Sequence, residues 1–212
     1  MTTRLQDDAL VAWFCGLPGS GKSTIARGVF ERIDPKKIRV GKAEFPRAAL
    51  VEMDSIRKKI FPEPTYSDQE RDASYRSLVL VGSYLSRSGV AAFLDGTGHK
   101  KIWRDFARRQ CPNFVEVYVK CPIEICIQRE TNRDPGGSDI RKKLYLDALD
   151  RLKTGKKIEG LGRMPGVDES FEESPSPEIV IDSSKKSPEQ LVDETQNALS
   201  RYDPELFPSR NM

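Results

Sequence analysis

The stretch Gly16–Thr24, which reads G-L-P-G-S-G-K-S-T, constrains the fold and the chemistry of this chain more than any other. It fits the pattern G-x-x-x-x-G-K-[ST] of a phosphate-binding loop. Glycines lack a Cβ, so backbone N–H groups can approach an anion, and the helix after the loop points its partly positive N-terminus at the same place. The apolar run Ala9–Cys15 and the helical pattern Thr24–Ile33 supply the strand–loop–helix context that the pattern requires.

The loop predicts a site for ATP and Mg²⁺. We expect Lys22 to reach the β- and γ-phosphates as a catalytic cation, and the Ser23 hydroxyl to ligand the metal. The residues expected to bind the nucleotide are Gly16, Pro18, Gly19, Ser20, Gly21, Lys22, Ser23 and Thr24. The alternative is a glycine-rich turn that binds no ligand.

Five short apolar segments alternate with helical patterns along the chain. The predicted strands are Ala9–Cys15, Ala48–Met53, Val90–Leu94, Phe114–Val119 and Glu178–Ile181. This alternation indicates a parallel sheet covered on both faces. We therefore predict an α/β fold with the three layers of a P-loop kinase, built on a five-stranded parallel sheet with helices on both faces and a mobile lid. The chain shows no repeats and no second domain, so residues 1–212 are expected to form a single domain.

The helical patterns have recognisable boundaries. After the first helix they cover Ser67–Arg87, Lys101–Gln110, Ile123–Glu130, Ile140–Lys153 and Pro188–Arg201. Ser67, with Glu70 three residues later, has the spacing of a capping box. The long helix that it begins should place Tyr75, Leu78, Val79, Gly82 and Leu85 on one face.

Three stretches are predicted to be less regular. Lys36–Pro46 reads as a basic loop or hairpin, and Gly155–Pro177, rich in glycine, proline and acids, as irregular and mobile. The lid is expected to cover approximately residues 129–177. The tail over residues 203–212 is expected to be flexible.

Composition excludes several classes of protein. The chain is 37% hydrophobic and 32% charged, and no apolar run is long enough to span a membrane. A net charge of +3 gives no argument for a nucleic-acid partner. The four cysteines lack C-x-x-C spacing and are interpreted as reduced core thiols. We therefore expect a cytoplasmic protein without membrane or nucleic-acid partners.

Two carboxylates follow predicted strands, Asp54 after the second and Asp95 after the third. Ligands bind at the carboxyl ends of parallel strands, so both are candidates for catalysis beside a triphosphate. One would anchor Mg²⁺ through water, and the other would accept a proton from the attacking hydroxyl. Asp54 is the first candidate for the base, and Asp95 is a candidate for either role. In the alternative interpretation, Asp54 only caps a helix over Ser55–Ile60 and Asp95 belongs to a simple turn.

Cationic side chains recur near the predicted mouth of the site, and guanidinium groups suit phosphate, sulfate and carboxylate oxygens. The candidates for binding an anionic acceptor are Arg57, Arg71, Arg76, Lys101 and Arg104. A second set flanks the predicted lid and would close over the transferring phosphoryl group: Arg129, Arg133, Lys142 and Lys143. Solvated helix surfaces are the alternative for both sets. The sole histidine, His99, is not expected to act as a catalyst.

Taken together, these motifs resemble those of the adenylylsulfate (APS) kinases, which phosphorylate the 3′-hydroxyl of adenosine 5′-phosphosulfate to give PAPS. The loop Gly16–Ser23 is similar to the family's G-L-[ST]-G-[SA]-G-K-[ST]. Glu52–Arg57 keeps the second acid and the arginine of D-G-D-N-[VIL]-R, and Tyr66–Arg76 resembles F-S-x-x-D-R-x-x-N-x-R. Glu116–Cys126 is close to E-V-Y-V-x-x-P-[LI]-E-x-C, and Lys142–Tyr145 is similar to K-G-L-Y.

The resemblance implies roles for particular residues. Asp54 occupies the place of the proposed base. Arg57, Arg71 and Lys142 match contacts to the acceptor nucleotide, and Arg129 matches the arginine near the ATP adenine. A homodimer is implied as well.

The departures from the family fall on the acceptor side. The family's S-x-I-S-P-[FY]-R is replaced by Asp95–Lys101, which lacks I-S-P. The family's F-T-G-[IV], whose phenylalanine stacks on the acceptor adenine, is replaced by Leu161–Met164, and leucine offers no π-face. APS is therefore the favoured acceptor, and a different nucleotide or small anionic alcohol is the alternative. A nucleotide-binding regulatory protein with little catalysis is the second alternative.

Overall fold

The computed structural model describes residues 8–33, 37–40, 43–132, 143–156 and 162–207, and for residues 37–40 and 43–45 it describes the backbone only. The strands are β1 (Val11–Cys15), β2 (Lys37–Val40), β3 (Ala43–Pro46), β4 (Ala48–Glu52), β5 (Ala91–Asp95), β6 (Phe114–Lys120) and β7 (Ile179–Asp182). The helices are α1 (Lys22–Glu31), α2 (Met53–Ile60), α3 (Asp68–Arg87), α4 (Lys101–Gln110), α5 (Ile123–Thr131), α6 (Leu144–Thr154) and α7 (Pro188–Leu199).

β1 lies at the centre of a five-stranded sheet with the order β4-β5-β1-β6-β7. All neighbouring strands are parallel, and the register places Phe14 of β1 opposite Asp95 of β5. The loop after β1 and the end of β5 therefore emerge side by side at the carboxyl edge of the sheet, where ligands of such folds bind. β2 and β3 form a separate antiparallel hairpin, one of the two forms predicted for the basic segment.

Helices cover both faces of the sheet. Phe14 packs with Ile25 of α1 and Leu191 of α7 on one face. Its neighbour Trp13 packs with Tyr75 of α3 on the other. Because both faces are covered, every residue of β1 is buried, as its continuous apolar sequence indicates. The predicted three-layer α/β architecture is confirmed.

The start of α3 agrees only in part with its sequence signature. Ser67 caps the helix as predicted, and its hydroxyl accepts the N–H of Glu70 at 3.3 Å. The Glu70 carboxylate does not complete the capping box. It accepts instead from the N–H of Tyr66 at 2.8 Å and from the hydroxyl of Thr65 at 2.9 Å. The carboxylate therefore fixes the chain that enters the helix, and it faces the site described below.

The described part of the C-terminal tail, residues 203–207, packs against the fold. The sequence predicts a flexible tail over residues 203–212, yet Leu206 and Phe207 are only 3% and 2% exposed, and residues 208–212 lie outside the described residues. The Asp203 carboxylate accepts the N–H of Leu206 at 2.8 Å, and the Phe207 ring lies edge-on to Phe93 at 6.1 Å. This apolar pair packs against the face of the sheet that α1 and α7 cover.

We expect Phe207→Ala to lower the free energy of unfolding by about 3–5 kcal/mol, because it leaves a cavity beside the sheet. Urea denaturation followed by circular dichroism measures this. Tyr202→Ala is the control, since Tyr202 is 39% exposed, and it should cost about 1 kcal/mol or less. Equal costs for the two variants would contradict an anchoring role for Phe207.

Candidate active site

The phosphate-binding loop is pressed against neighbouring backbone, so glycine is required at two positions. Gly16 has φ +145°, and a Cβ there would collide with the carbonyl oxygen of Val119 in β6. Gly19 has φ +79°, and a Cβ there would lie 2.5 Å from the carbonyl oxygen of Cys126 in α5. Gly21, with φ +93°, is the N-cap of α1. The loop thus takes the conformation in which its backbone can surround an anion at a helix N-terminus.

Asp95 is next to the reactive end of this loop. The residue is 7% exposed, its carboxylate is hydrogen-bonded to Ser23, and it interacts electrostatically with the positive charge of Lys22. Burial raises the pKa of Asp95, while Lys22 and the Ser23 hydrogen bond oppose that rise. Its Oδ1 atom is buried and has no hydrogen-bond partner among the described residues. The structure therefore groups Lys22, Ser23 and Asp95, with one carboxylate oxygen left for a ligand.

Asp54 lies at the same edge of the sheet but in a different environment. The strand before it ends at Glu52, one residue earlier than predicted, and α2 begins at Met53, so Asp54 is in the first turn of the helix. Its side chain is 81% exposed and lies 3.8 Å from Arg57. Its negative charge contributes to the raised pKa of Asp95. The two carboxylates therefore face one region, one of them buried and the other open to an incoming group.

Arg129 of α5 lies on the opposite side of the loop. Its guanidinium donates to the carbonyl oxygen of Ser183 at 2.7 Å and to the Ser183 hydroxyl at 3.3 Å. That hydroxyl in turn donates to the carbonyl oxygen of Ser20 at 2.7 Å. A Cβ built on Gly21 would be 4.0 Å from Arg129. Sequence reasoning missed Ser183, although its position directly after β7 could have pointed to it.

The helix α6, in the predicted lid, packs directly on the loop. The buried Tyr145 hydroxyl donates to the carbonyl oxygen of Pro18 at 2.9 Å. Leu17 packs beneath Gly166, where a Cβ would lie 3.1 Å from its side chain. The described residues 162–177 are irregular, as predicted, and Arg151 of α6 is ion-paired with Asp168 of this segment.

Two of the arginines predicted to bind the acceptor, Arg57 and Arg71, lie close together and are paired with carboxylates. Arg57 lies 3.5 Å from Glu70, and its guanidinium is 5.1 Å from the centre of the Tyr66 ring. Arg71 lies 3.2 Å from Glu169. Burial lowers the pKa of Arg71, and the charge of Arg57 lowers it further, whereas Glu169 raises it.

The other predicted acceptor ligands are not grouped with these. Arg76 pairs with Asp72 at 2.6 Å, and Lys101 with Asp105 at 2.6 Å, each four residues away on its own helix. Among the described residues neither forms an ion pair with Asp54 or Asp95, so their binding role stays a prediction. Lys142 and Arg133 lie outside the described residues. Arg104 was also a candidate, but it is fully buried and pairs with Glu116 at 2.9 Å, so it supports the fold instead.

The loop Asp95–Gly98, which stands where the sequence lacks I-S-P, is held by aromatic side chains. The Trp13 indole N–H donates to the carbonyl oxygen of Gly96 at 2.9 Å. The Tyr75 hydroxyl accepts the N–H of Gly98 at 3.0 Å. Tyr75 also stacks on Trp103 at 4.1 Å between ring centres. This loop is therefore an ordered part of the site.

Comparison with known proteins assigns the family. A family model described as adenylylsulphate kinase matches residues 8–182. The chain belongs to the adenylylsulphate kinase family. A similar relative, the probable adenylyl-sulfate kinase of Archaeoglobus fulgidus, is 32% identical over 177 residues, which cover 84% of this chain and 97% of the relative.

Solved structures agree in fold. The Mycobacterium tuberculosis APS kinase, in complex with AMPPNP and APS, superposes with a TM-score of 0.67 at 19% identity, covering 91% of this chain and 98% of the other. An unliganded sugar kinase from Janibacter sp. gives a TM-score of 0.60 at 22% identity, covering 95% of this chain and 99% of the other. At these identities the two likenesses bear on the fold alone.

Two features are absent from the part of the chain that the structure describes. No helix there combines the length and the apolar character needed to cross a membrane. Nor do three histidine, cysteine or acidic side chains gather there as a ready-made metal site. A magnesium ion usually takes one or two protein carboxylates together with substrate phosphates and water, so it needs no such cluster.

His99 of this family member is buried at the edge of the site. It is 1% exposed, and its Nε2 lies 2.8 Å from Oε2 of Glu169. Burial is the main cause that lowers the His99 pKa to about 4, while Glu169 opposes the shift and Arg71 adds to it. The imidazole is therefore neutral at pH 7, and its Nε2–H donates to the carboxylate.

His99 should make the fold sensitive to acid. Its pKa in the folded state, about 4, lies below the ordinary value of 6.5. The unfolded chain therefore binds the proton first, and stability is complete above pH 6.5 and falls as the pH drops towards 4. The expected loss is up to about 3 kcal/mol.

Urea unfolding of wild type and His99→Gln at pH 7.5 and 4.5 tests this. The difference in stability between the two proteins should shrink or reverse at the lower pH. The same pH dependence in both would show that His99 does not titrate on unfolding.

Proposed function

We propose that this chain transfers the γ-phosphate of ATP to the 3′-hydroxyl of adenosine 5′-phosphosulfate and releases PAPS and ADP. Family membership supports this, as does the name of the 32% identical relative. The observation that carries the proposal is the grouping of Lys22, Ser23 and the buried Asp95 beside an intact phosphate-binding loop. The retention of these residues together with the exposed carboxylate of Asp54 argues against the regulatory alternative.

The ATP side is assigned as follows. The backbone over Gly16–Thr24 would hold the phosphates, with Lys22 neutralising charge on the transferring group. Arg129, held by Ser183, would lie against the adenine. Mg²⁺ fits the unpartnered Oδ1 of Asp95 and the Ser23 hydroxyl, and when bound it would neutralise phosphate charge.

The acceptor side is assigned to Asp54 and the paired arginines. Asp54 is the exposed carboxylate at this edge, so an acceptor hydroxyl can reach it, and we propose it as the base. Asp95 is the second candidate, because burial raises its pKa. Arg57 and Arg71 would contact the anionic groups of the acceptor, together with Lys142.

The closest competing function is phosphorylation of another small anionic acceptor by the same machinery. The observation that favours it is the loop Asp95–Gly98, which replaces a wall of the family's acceptor site with a different, ordered structure.

We further propose that residues 1–212 act as one kinase domain with a lid over about residues 129–177, supported by the Tyr145–Pro18 contact. A homodimer and a cytoplasmic location stay predictions, and light scattering after size-exclusion chromatography tests the first.

The direct test is ADP release from Mg·ATP with APS as the acceptor. We expect turnover at micromolar APS, well above the rate with other nucleotides or with small phosphorylated or sulfated alcohols. A coupled spectrophotometric assay measures the release. If ATP binds but APS is not used, the acceptor is whichever compound of this panel accelerates ADP release.

Two conservative variants separate the carboxylates. Asp54→Asn should lower turnover at least about a hundredfold, on the order of 3 kcal/mol of transition-state stabilisation, and leave ATP binding unchanged. Asp95→Asn should instead raise the Mg²⁺ concentration needed for half-maximal rate by about tenfold or more, because a charged oxygen near the metal is lost. Calorimetry of ATP binding is the control for both. Unchanged turnover in Asp54→Asn would remove that residue from the mechanism.

A further inference from the structure

Cationic and polar groups gather around one carboxylate away from the phosphate-binding loop. The Glu169 Oε2 atom lies 3.2 Å from Arg71 and 2.8 Å from His99. Its Oε1 atom lies 3.3 Å from Arg163 and 3.8 Å from Lys100. The Glu169 side chain is only 11% exposed. We call these five residues the Glu169 cluster.

Glu169 pairs with Arg71, an arginine that the proposed function assigns to the acceptor. Arg71 is proposed above to contact the acceptor, yet its guanidinium donates to the Glu169 carboxylate and to the carbonyl oxygen of Arg163. The chain also lies directly on it, because a Cβ on Gly162 would be 2.7 Å from its Nη2 atom. In the absence of acceptor, the protein's own oxygens therefore occupy this arginine.

The cluster holds more positive charge than one carboxylate neutralises. His99 is neutral at pH 7, so three formal positive charges face Glu169. Among the described residues, one further carboxylate forms an ion pair with the cluster, Asp68 at 3.8 Å from Arg163. A phosphate or sulfate group offers more acceptor oxygens to guanidinium groups than a carboxylate does.

We propose that the Glu169 cluster is an anion-binding site of the acceptor pocket, in which the Glu169 carboxylate occupies the place of the acceptor's phosphate or sulfate group until the acceptor displaces it. The inference rests on the proposed function, because that function places Arg71 in the acceptor site. Glu169 then sets specificity. A neutral alcohol cannot displace the Glu169 carboxylate. An anionic acceptor can displace it, but it binds more weakly than it would to the same cations without Glu169.

Displacement does not require the segment to unfold. The turn before Glu169 is held by other bonds, since the carbonyl oxygen of Met164 accepts the N–H of Val167 at 3.0 Å and that of Asp168 at 2.9 Å. The Asp168 carboxylate accepts the N–H of Met164 at 2.7 Å and pairs with Arg151. Rotation of the Glu169 side chain would therefore withdraw its carboxylate from the cations without disturbing the turn, and a substitution there should leave the turn folded.

The first experiment uses inorganic sulfate and needs no knowledge of the acceptor. The full-length protein is saturated with Mg·ADP to fill the phosphate-binding loop, and sulfate is titrated by isothermal calorimetry and by thermal unfolding. Glu169→Gln should bind sulfate at least about tenfold more tightly than wild type and gain melting temperature with added sulfate. The double variant Arg71→Gln/Glu169→Gln should lose that gain.

Glu173→Gln is the matched control, because Glu173 lies in the same segment, is 53% exposed and pairs with Lys120. It should bind sulfate as wild type does. Equal sulfate affinity in wild type and Glu169→Gln would overturn the proposal. If Glu169→Gln fails to fold by circular dichroism, Glu169→Asp replaces it, since its shorter side chain keeps the charge but moves it away from the cations. Glu169→Asp should show a smaller gain in sulfate affinity in the same assay, and no gain would overturn the proposal.

The second experiment measures the KM for APS. Glu169→Gln should lower it about tenfold or more while the KM for ATP stays the same. A raised KM for APS would mean that Glu169 only positions Arg71, which contradicts displacement. If no protein turns over APS but the sulfate result holds, the proposed function fails and the anion site is supported.

Discussion

A fully buried ion pair between Arg104 of α4 and Glu116 of β6 connects the parts of the molecule that form the site. Its atoms are 2.9 Å apart, and the side chains are 0% and 1% exposed. Buried charges are costly unless hydrogen bonds satisfy their remaining atoms. Arg104 donates to the carbonyl oxygens of Gly98 and Glu172, and Ser174 donates to Glu116 at 2.7 Å. The loop after β5, the strand β6 and the end of the lid segment are therefore held in one network.

The ATP side of the site could be predicted from the sequence because its residues are neighbours along the chain. The spacing from Gly16 to Ser23 specifies the loop, and the structure places Asp95 beside it because β5 pairs with β1. The acceptor side depends on partners far apart in sequence, such as Arg71 and Glu169, which are separated by 98 positions. Glu169 lies in irregular chain without a periodic pattern, so no local signal announces its contacts.

Pairing with carboxylates explains how two acceptor-side arginines can lie close together without a ligand. Burial lowers the pKa of Arg71, and the like charge of Arg57 lowers it further. Glu70 and Glu169 each neutralise one of them, at 3.5 and 3.2 Å. The site therefore holds its cations in place before any acceptor arrives, and less ordering remains to oppose binding. Under the proposed function, the acceptor would have to compete with these carboxylates for the arginines.

The loop Asp95–Gly98, where the sequence departs from the family pattern, is fixed by close packing on Trp13. Gly98 has φ +56°, and a Cβ there would lie 3.0 Å from the Trp13 ring, so only glycine fits between the chain and the indole. Trp13 and Tyr75 satisfy the loop's carbonyl and N–H groups from beneath. Under the proposed function, a loop held in this way would form one wall of the acceptor site and would select an acceptor by shape. Arg57 and Arg71 would then supply the positive charge.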